Sequence, residues 1–340
     1  MSSFINATAP IRVCDNGGWT DTWFAEHGRV FNIAVHPPVE VQIDVMPRAQ
    51  AADRIVVNAE NFGDRYPWSA RGRHPLLEAA IDRMPIPDHL ALEVTIFSRV
   101  PAGASTGTSA AVLVALIGAL DRFTPGTLSP MEVAATAHTV ETEALKQQSG
   151  IQDQLCSAHG GINYIEMTRY PLATVTAVQV PDPVWRELER RLVLIYLGNS
   201  HNSSQVHEMV IQRLADTGPE AAPLRALRTT AEPSRDALLA GDFAALGRAM
   251  RANTEAQAAL HPALVGPATA RVIDIARQHG ALGWKVNGAG GEGGSITLLA
   301  GDRSAATRAM IREIEEDNPS FASIPIALSR RGLSVWESDS

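Results

Sequence analysis

Two carboxylates in the middle of the sequence have neighbouring residues that favour a role in metal binding or proton transfer. Glu141 falls on the apolar stripe of a helix predicted over residues 130–146, where a carboxylate is costly unless it is paired or binds a metal ion. Asp153 stands between two glutamines in the segment GIQDQ, which we interpret as a turn. There it can accept a proton from a substrate hydroxyl or hold a cation, while an Asx turn is the structural alternative. The pair together favours a functional site.

A glycine-rich segment, PAGASTGTSAA at 101–111, joins a strand predicted over 90–100 to a helix predicted over 109–122. Successive backbone N–H groups at a helix N-terminus form a cradle for anions. The hydroxyls of Thr106, Thr108 and Ser109 can add ligands for phosphate or Mg²⁺. A flexible connection with capping hydroxyls is an equally good interpretation. A Walker A loop is excluded because neither lysine of the chain has the required context.

Two further segments are polar or rich in glycine. The segment RVCDNGGWTDT at 12–22 presents carboxylates, an amide and hydroxyls that suit a sugar, although polar β-turns are far more common. The segment KVNGAGGEGG at 285–294 holds five glycines before an apolar strand, which indicates close backbone approach. Its G-x-G-x-x-G pattern lies before a strand and after a helix, so a dinucleotide fingerprint is excluded.

Composition narrows the class of protein. The 340 residues predict two lobes, and a net charge of −8 argues against a nucleic-acid partner. The longest apolar run is too short for a membrane span, and no signal peptide is recognisable. Two cysteines favour a reducing compartment, so we expect a cytoplasmic protein, with Cys156 a packed thiol. His201 and His207 lack the spacing of metal ligands on a helix.

The elements needed to position these residues follow from hydrophobic periodicity. We predict an α+β fold, with strands first and helices later, and a join between residues 168 and 190. Strands are predicted at 11–13, 28–35, 39–45, 90–100, 160–167, 191–198, 293–302 and 324–329. Helices are predicted at 109–122, 130–146, 203–216, 233–258, 267–279 and 303–317.

Taken in order, the motifs resemble those of the GHMP kinase superfamily. Its P-x-x-x-G-L-G-S-S-A loop is matched by 101–110, and its C-terminal G-A-G-G-G-G loop by 288–293. Its N-terminal sugar-kinase motif is matched by Arg12 with Asp21 nine residues on. The resemblance implies a ribosomal-S5-domain-2-like N-terminal lobe at 1–180 that binds ATP and sugar, and a ferredoxin-like C-terminal lobe at 181–340. It also implies MgATP as phosphoryl donor.

The same resemblance implies a role for each matching residue. Asp153 activates or orients the attacking hydroxyl, and Arg12 stabilises the transferring phosphoryl group. Ser109 and Glu141 hold Mg²⁺, with Glu143 as the alternative to Glu141. The residues implied in ATP binding are Pro101, Gly103, Ala104, Ser105, Thr106, Gly107, Thr108, Ser109, Gly288, Gly290 and Gly291. Those implied in substrate binding are Asp15, Asn16, Gly18, Trp19, Thr20, Asp21 and Gln152.

Within the superfamily, GGWTDT and GIQDQLCSAHGGINYIEM look most like the heptose 7-phosphate kinase and fucokinase group. We therefore expect a kinase acting on the anomeric hydroxyl of a heptose 7-phosphate. The alternatives are a fucokinase-like or other free-sugar 1-kinase, a kinase for a mevalonate-type alcohol, and a catalytically weak sugar and nucleotide sensor. A homo-oligomer is left open.

Three residues depart from the superfamily's motifs in ways that bear on activity. Ser105 and Thr106 replace a Gly-Leu pair, which restricts positive φ at Ser105. Glu292 replaces a glycine, and we expect it to bring a negative charge near the phosphates.

Overall fold

The computed structural model describes residues 3–124, 127–199, 203–215 and 217–339. Its strands are β1 (Ser3–Asn16), β2 (Gly28–Pro47), β3 (Ile55–Ala59), β4 (Asp64–Pro67), β5 (Leu90–Ser98), β6 (Ile162–Arg169), β7 (Leu172–Ala177), β8 (Leu192–Tyr196), β9 (Gly283–Val286), β10 (Ser295–Leu299), β11 (Ala322–Ile324), β12 (Ala327–Leu328) and β13 (Ser334–Asp339). Its helices are α1 (Pro75–Arg83), α2 (Thr108–Leu120), α3 (Pro130–Thr139), α4 (Gln152–His159), α5 (Asp182–Arg191), α6 (Ser203–Leu214), α7 (Ala222–Arg228), α8 (Ala231–Leu239), α9 (Phe243–Leu260), α10 (Pro267–Gln278) and α11 (Ser304–Asp317).

A large sheet organises the first half of the chain. Its strand order is β13-β1-β2-β5-β3-β4, and β6 and β12 also pair with β2. The strands predicted at 28–35 and 39–45 are therefore parts of one 20-residue strand, β2. Helix α2 packs on β1 and β2. Ten of its thirteen residues are buried, which is why its sequence is apolar on every side.

A second sheet, in the order β11-β8-β10-β9, is antiparallel throughout. Buried side chains of β8 and β10, such as Ile195 and Leu298, share a core with Val272 of α10 and Ile314 of α11. The α+β class is confirmed. The helix predicted over 233–258 is two helices, α8 and α9, because the chain turns at Gly241 and Asp242 caps α9 through the Ala245 N–H.

The last two strands return to the large sheet, an arrangement that the sequence did not indicate. Strand β12 pairs with β2, and β13 pairs with β1 from Ser3 opposite Asp339 to Thr8 opposite Ser334. The division into domains 1–180 and 181–340 stays a prediction, and residues 327–339 pair across it. Among the described residues, the helices are all too short or too polar to cross a membrane.

Candidate active site

A cleft of about 210 Å³ brings together residues from all the segments singled out in the sequence. Its lining comprises Arg12, Asp15, Trp19, Asp21, Thr22, 103–110, Glu141, 147–150, Gln152, Asp153, His207, Gly288 and Ala289. Residues far apart in sequence therefore meet at one place, as the resemblance implied.

The glycine-rich segment forms one wall of this cleft and leads directly into α2. Gly107 has φ +70° and precedes Thr108, the first residue of the helix. In the described structure no side chain caps this N-terminus, so its first amides remain available to an anion. Ser105 has φ +59°, so this serine adopts the left-handed conformation that glycine adopts easily. The serine therefore does not prevent a positive φ at this position.

Asp153 lies against this loop, in the first turn of α4 rather than in the predicted turn. A Cβ added to Gly107 would stand 3.2 Å from the Asp153 Oδ2, so any other residue here would press against the carboxylate. Arg12 donates to both carboxylate oxygens, with Nε at 2.8 Å from Oδ1 and Nη2 at 3.1 Å from Oδ2. The guanidinium also donates to the Ser105 carbonyl. Arg12 thus ties Asp153 to the loop.

Neighbouring carboxylates keep the guanidinium of Arg12 in its charged form. Burial disfavours a charged guanidinium, but the carboxylates of Asp153 and Asp15 outweigh burial and raise the pKa of Arg12 above its ordinary value. An arginine that stays charged in a buried position holds its bidentate partner in a fixed orientation.

Glu141 occupies a π-helical turn, Val140–Ala144, that follows α3 where the sequence predicted a continuous helix. Ser149 Oγ and Gln154 Nε2 donate to its Oε2, each at 2.6 Å. Burial raises the pKa of Glu141 to about 7, although these two donors oppose the shift. Glu143, the alternative ligand, is exposed and lies outside the lining.

Asp21 is also buried at the cleft. Its Oδ2 accepts the Gln152 N–H at 3.0 Å, and burial raises its pKa to about 6. Nearby, the ring of His207 meets that of Trp19 edge to face at 4.8 Å between centroids. This part of the cleft therefore combines carboxylate, amide and aromatic groups.

The C-terminal glycine segment approaches from the second sheet. Lys285 on β9 lies 3.1 Å from Asp15 Oδ1, and the Gly288 N–H donates to Asp15 Oδ2 at 3.0 Å. Burial raises the pKa of Asp15, but Lys285 and Arg12 outweigh burial and lower it below the ordinary value. No role for Lys285 was predicted from the sequence. Its partner lies 270 positions away, so no local signal could have revealed the pair.

Several residues expected to bind ligand lie outside the cleft lining: Asn16, Gly18, Thr20, Pro101, Gly290 and Gly291. Asn16 donates to Ser234 Oγ at 2.7 Å, and Thr20 to the Gly17 carbonyl at 2.7 Å. The Gly291 N–H donates to the Leu264 carbonyl. These residues hold the fold around the cleft.

Two other predictions have clear outcomes. Glu292 is exposed and outside the lining, so it does not bring its charge to the cleft as expected. Cys156 is a buried, packed thiol as predicted, with Asn163 Nδ2 at 3.6 Å from Sγ. His201 lies outside the described residues.

Comparison with known protein families decides the class. Residues 75–161 match the GHMP kinases N terminal domain, and residues 234–314 match the GHMP kinases C terminal domain. A mevalonate kinase from Pyrococcus furiosus is 31% identical over 258 residues, which span 73% of this chain and 70% of that enzyme. The chain belongs to the GHMP kinase family. Members of this family are phosphotransferases that use ATP as phosphate donor.

Other proteins similar to this GHMP kinase carry the names of different sugars. The L-fucokinase/L-fucose-1-P guanylyltransferase of Bacteroides fragilis is 26% identical over 97% of this chain, which spans 38% of that longer protein. A D-glycero-D-manno-heptose 1-phosphate kinase from Bacteroides thetaiotaomicron has a TM-score of 0.75 at 20% identity, covering 99% of this chain and 100% of that one. Lactococcus lactis galactokinase complexed with galactose has a TM-score of 0.73 at 16% identity, covering 97% and 95%. The structural likeness establishes the fold.

The cleft of this GHMP kinase suits a magnesium ion that is shared with a nucleotide. The described residues contain no cluster of three or more His, Cys, Asp or Glu side chains arranged to bind a metal. Mg²⁺ bound with a nucleotide needs fewer protein ligands, because phosphate oxygens and waters complete its shell. Glu141 and Ser109, which both line the cleft, supply the carboxylate and hydroxyl oxygens that Mg²⁺ prefers.

Proposed function

We propose that this GHMP kinase transfers the γ-phosphoryl group of ATP to the anomeric hydroxyl of a sugar or sugar phosphate. The observation that carries the proposal is the position of Asp153. It lies against Gly107 of the phosphate-binding loop on one side and lines the cleft beside Asp21 and Gln152 on the other. A carboxylate between donor and acceptor is where an attacking hydroxyl must be oriented.

On the donor side, the loop 103–109 and the amides at the start of α2 receive the phosphates of ATP. Ser109 and Glu141 would hold Mg²⁺, which neutralises phosphate charge when bound. Gly288 belongs to this side as well, since a Cβ there would stand 3.1 Å from the Ser105 carbonyl oxygen.

On the acceptor side, Asp21 and Gln152 present oxygens suited to sugar hydroxyls. The heptose kinase, fucokinase and galactokinase among the similar proteins support a sugar as acceptor. A heptose 7-phosphate is the first candidate, and a free sugar such as L-fucose is the second. The mevalonate kinase relatives add a mevalonate-type alcohol as a candidate from another chemical class.

In the proposed reaction, Asp153 accepts the hydrogen bond of the attacking hydroxyl and orients it toward the phosphoryl group. Arg12 holds both oxygens of Asp153, so it fixes that orientation and adds positive charge beside the loop. The reaction needs in-line placement and charge stabilisation rather than a covalent intermediate.

The test is ADP release with a panel of acceptors: heptose 7-phosphate, the free heptose, L-fucose, galactose and mevalonate. We expect ATP-dependent turnover with at least one sugar, and its loss in Asp153→Asn with the melting temperature retained. Asp82→Asn, on the exposed face of α1, is the matched control. Turnover with mevalonate alone would replace the sugar assignment. ATP binding without turnover on the whole panel would favour the sensor.

A further inference from the structure

A buried ion pair joins the two sheets beside the cleft. The side chains of Lys285 and Asp15 are each 1% exposed, and Lys285 Nζ lies 3.1 Å from Asp15 Oδ1. Lys285 also donates to Gln257 Oε1 at 3.2 Å and to the Val286 carbonyl. A buried charge that is fully hydrogen-bonded is kept in a single arrangement, because any displacement leaves it unpaired.

The carboxylate of Asp15 reaches both sides of the proposed reaction. Its two oxygens accept the N–H of Gly288 at 3.3 and 3.0 Å. Its Oδ2 also accepts from Gln152 Nε2 at 3.4 Å, and Gln152 is the residue before Asp153. One side chain therefore links the C-terminal glycine segment to the segment that carries the proposed catalytic aspartate.

Other polar contacts also link the first part of the chain to the C-terminal glycine segment and its flanking strands. The Cys14 N–H donates to Asn287 Oδ1 at 3.3 Å, and Ser295 Oγ donates to the Ala104 carbonyl at 2.5 Å. Gln257 Nε2 donates to the Gly288 carbonyl at 3.0 Å. Gly288 itself stands where a Cβ would meet Arg12 Nη2 at 3.1 Å. Gly288 is thus held at its N–H by Asp15 and at its carbonyl by Gln257.

We propose that Asp15, held by Lys285, is a positioning residue that fixes the Gly288 backbone against Arg12 and Ser105. It thereby sets where the donor phosphates lie relative to Asp153. This role replaces the expectation that Asp15 binds a sugar hydroxyl, since its oxygens are taken by Lys285, Gly288 and Gln152. The proposal rests on the proposed function for its catalytic consequence.

Two double variants separate positioning from structural support. Asp15→Asn with Lys285→Met removes both charges but keeps an oxygen that can accept the Gly288 N–H. Asp15→Leu with Lys285→Met places a side chain of similar shape to asparagine at position 15, but this side chain has no oxygen to accept the Gly288 N–H. Neither leaves a lone buried charge, so both avoid the main cause of misfolding in the single variants. The two variants differ in whether residue 15 has an oxygen that can accept from the Gly288 N–H and from Gln152 Nε2, and they share the loss of Lys285.

We expect the two double variants to melt within a few degrees of each other. The Leu variant should have a kcat about 100-fold below that of the Asn variant, because small misplacements of reacting groups have effects of that order. Its Kd for a non-hydrolysable ATP analogue should rise while the acceptor KM stays within about threefold of the Asn variant. Equal kcat and equal nucleotide Kd in the two variants, at equal melting temperature, would refute the positioning role.

The nucleotide Kd keeps this test separate from the proposed function. If no acceptor on the panel is phosphorylated by the wild type, the sugar kinase proposal fails, yet the weaker analogue binding of the Leu variant still supports positioning. If the wild type turns over and the variants do not differ in kcat or Kd, positioning fails and the kinase proposal stands.

Discussion

Replacing Glu141 with glutamine should stabilise the protein at alkaline pH more than at acid pH. The carboxyl of Glu141 has its pKa raised from 4.5 to about 7 by burial, and the residue is 5% exposed. Between these two values the folded state holds a proton that the unfolded state has lost. Stability is therefore undiminished below pH 4.5, falls as pH rises toward 7, and stays lower above it.

The size of the effect follows from the shift. A displacement of about 2.5 pKa units corresponds to roughly 3 kcal/mol of stability lost well above pH 7, and to roughly 2 kcal/mol between pH 5 and pH 8. Glutamine has no proton to release, so the variant escapes this loss. The Oε1 of Gln154, which is buried without a partner among the described residues, can accept from the new amide after a flip of the Gln154 amide.

The measurement is urea unfolding of wild type and Glu141→Gln at pH 5 and pH 8, without nucleotide. The gain of the variant over the wild type should be about 2 kcal/mol larger at pH 8 than at pH 5. Comparing two pH values cancels contacts that do not titrate, including any change in the hydrogen bonds to Ser149 and Gln154. A gain that is the same at both pH values would show that Glu141 ionises as an ordinary carboxyl.

Three further substitutions test the surroundings of the cleft. Ser105→Gly should retain turnover and change the free energy of unfolding by less than about 1 kcal/mol. Glycine relieves the backbone strain of a serine at φ +59°, and this gain offsets the entropy that glycine adds to the unfolded chain. A large loss of stability in urea unfolding would contradict this expectation. Arg12→Lys should lower kcat about 10- to 100-fold in ADP release, because lysine lacks the bidentate contact with Asp153, and an unchanged kcat would refute the orienting role. Asp21→Asn should raise the acceptor KM about tenfold in initial-rate assays, and an equal rise in the ATP KM would place Asp21 elsewhere.

Local patterns in the sequence were enough for much of the framework. The strands around residues 90–98 and 192–196 and helix α2 follow from their apolar periodicity. The break between α8 and α9 was missed because apolar spacing continues across Gly241. The start of α4 was missed because Ile151 and Gln152 give no capping signal.

Contacts between distant segments could not be predicted in this way. Burial of a lysine is unusual, and no residue near Lys285 in the sequence indicates that it pairs with Asp15. Likewise, Asp15 and Asn16 are alike as sequence neighbours in a polar turn. Asp15 lines the cleft, whereas Asn16 donates to Ser234 Oγ, and both lie where the register of β1 with β2 is irregular.

The pairing of β13 with β1 makes the order of synthesis matter for folding. Strand β1 precedes all the other strands described, whereas its partner β13, which covers residues 3–8 along one edge, follows them. Backbone Gly160 also packs against Arg331 and Gly332. During translation, residues 3–8 therefore lack this partner until the elements between β1 and β13 have been made, and open edges invite pairing with other chains. This edge of β1 is covered only once β13 has emerged from the ribosome.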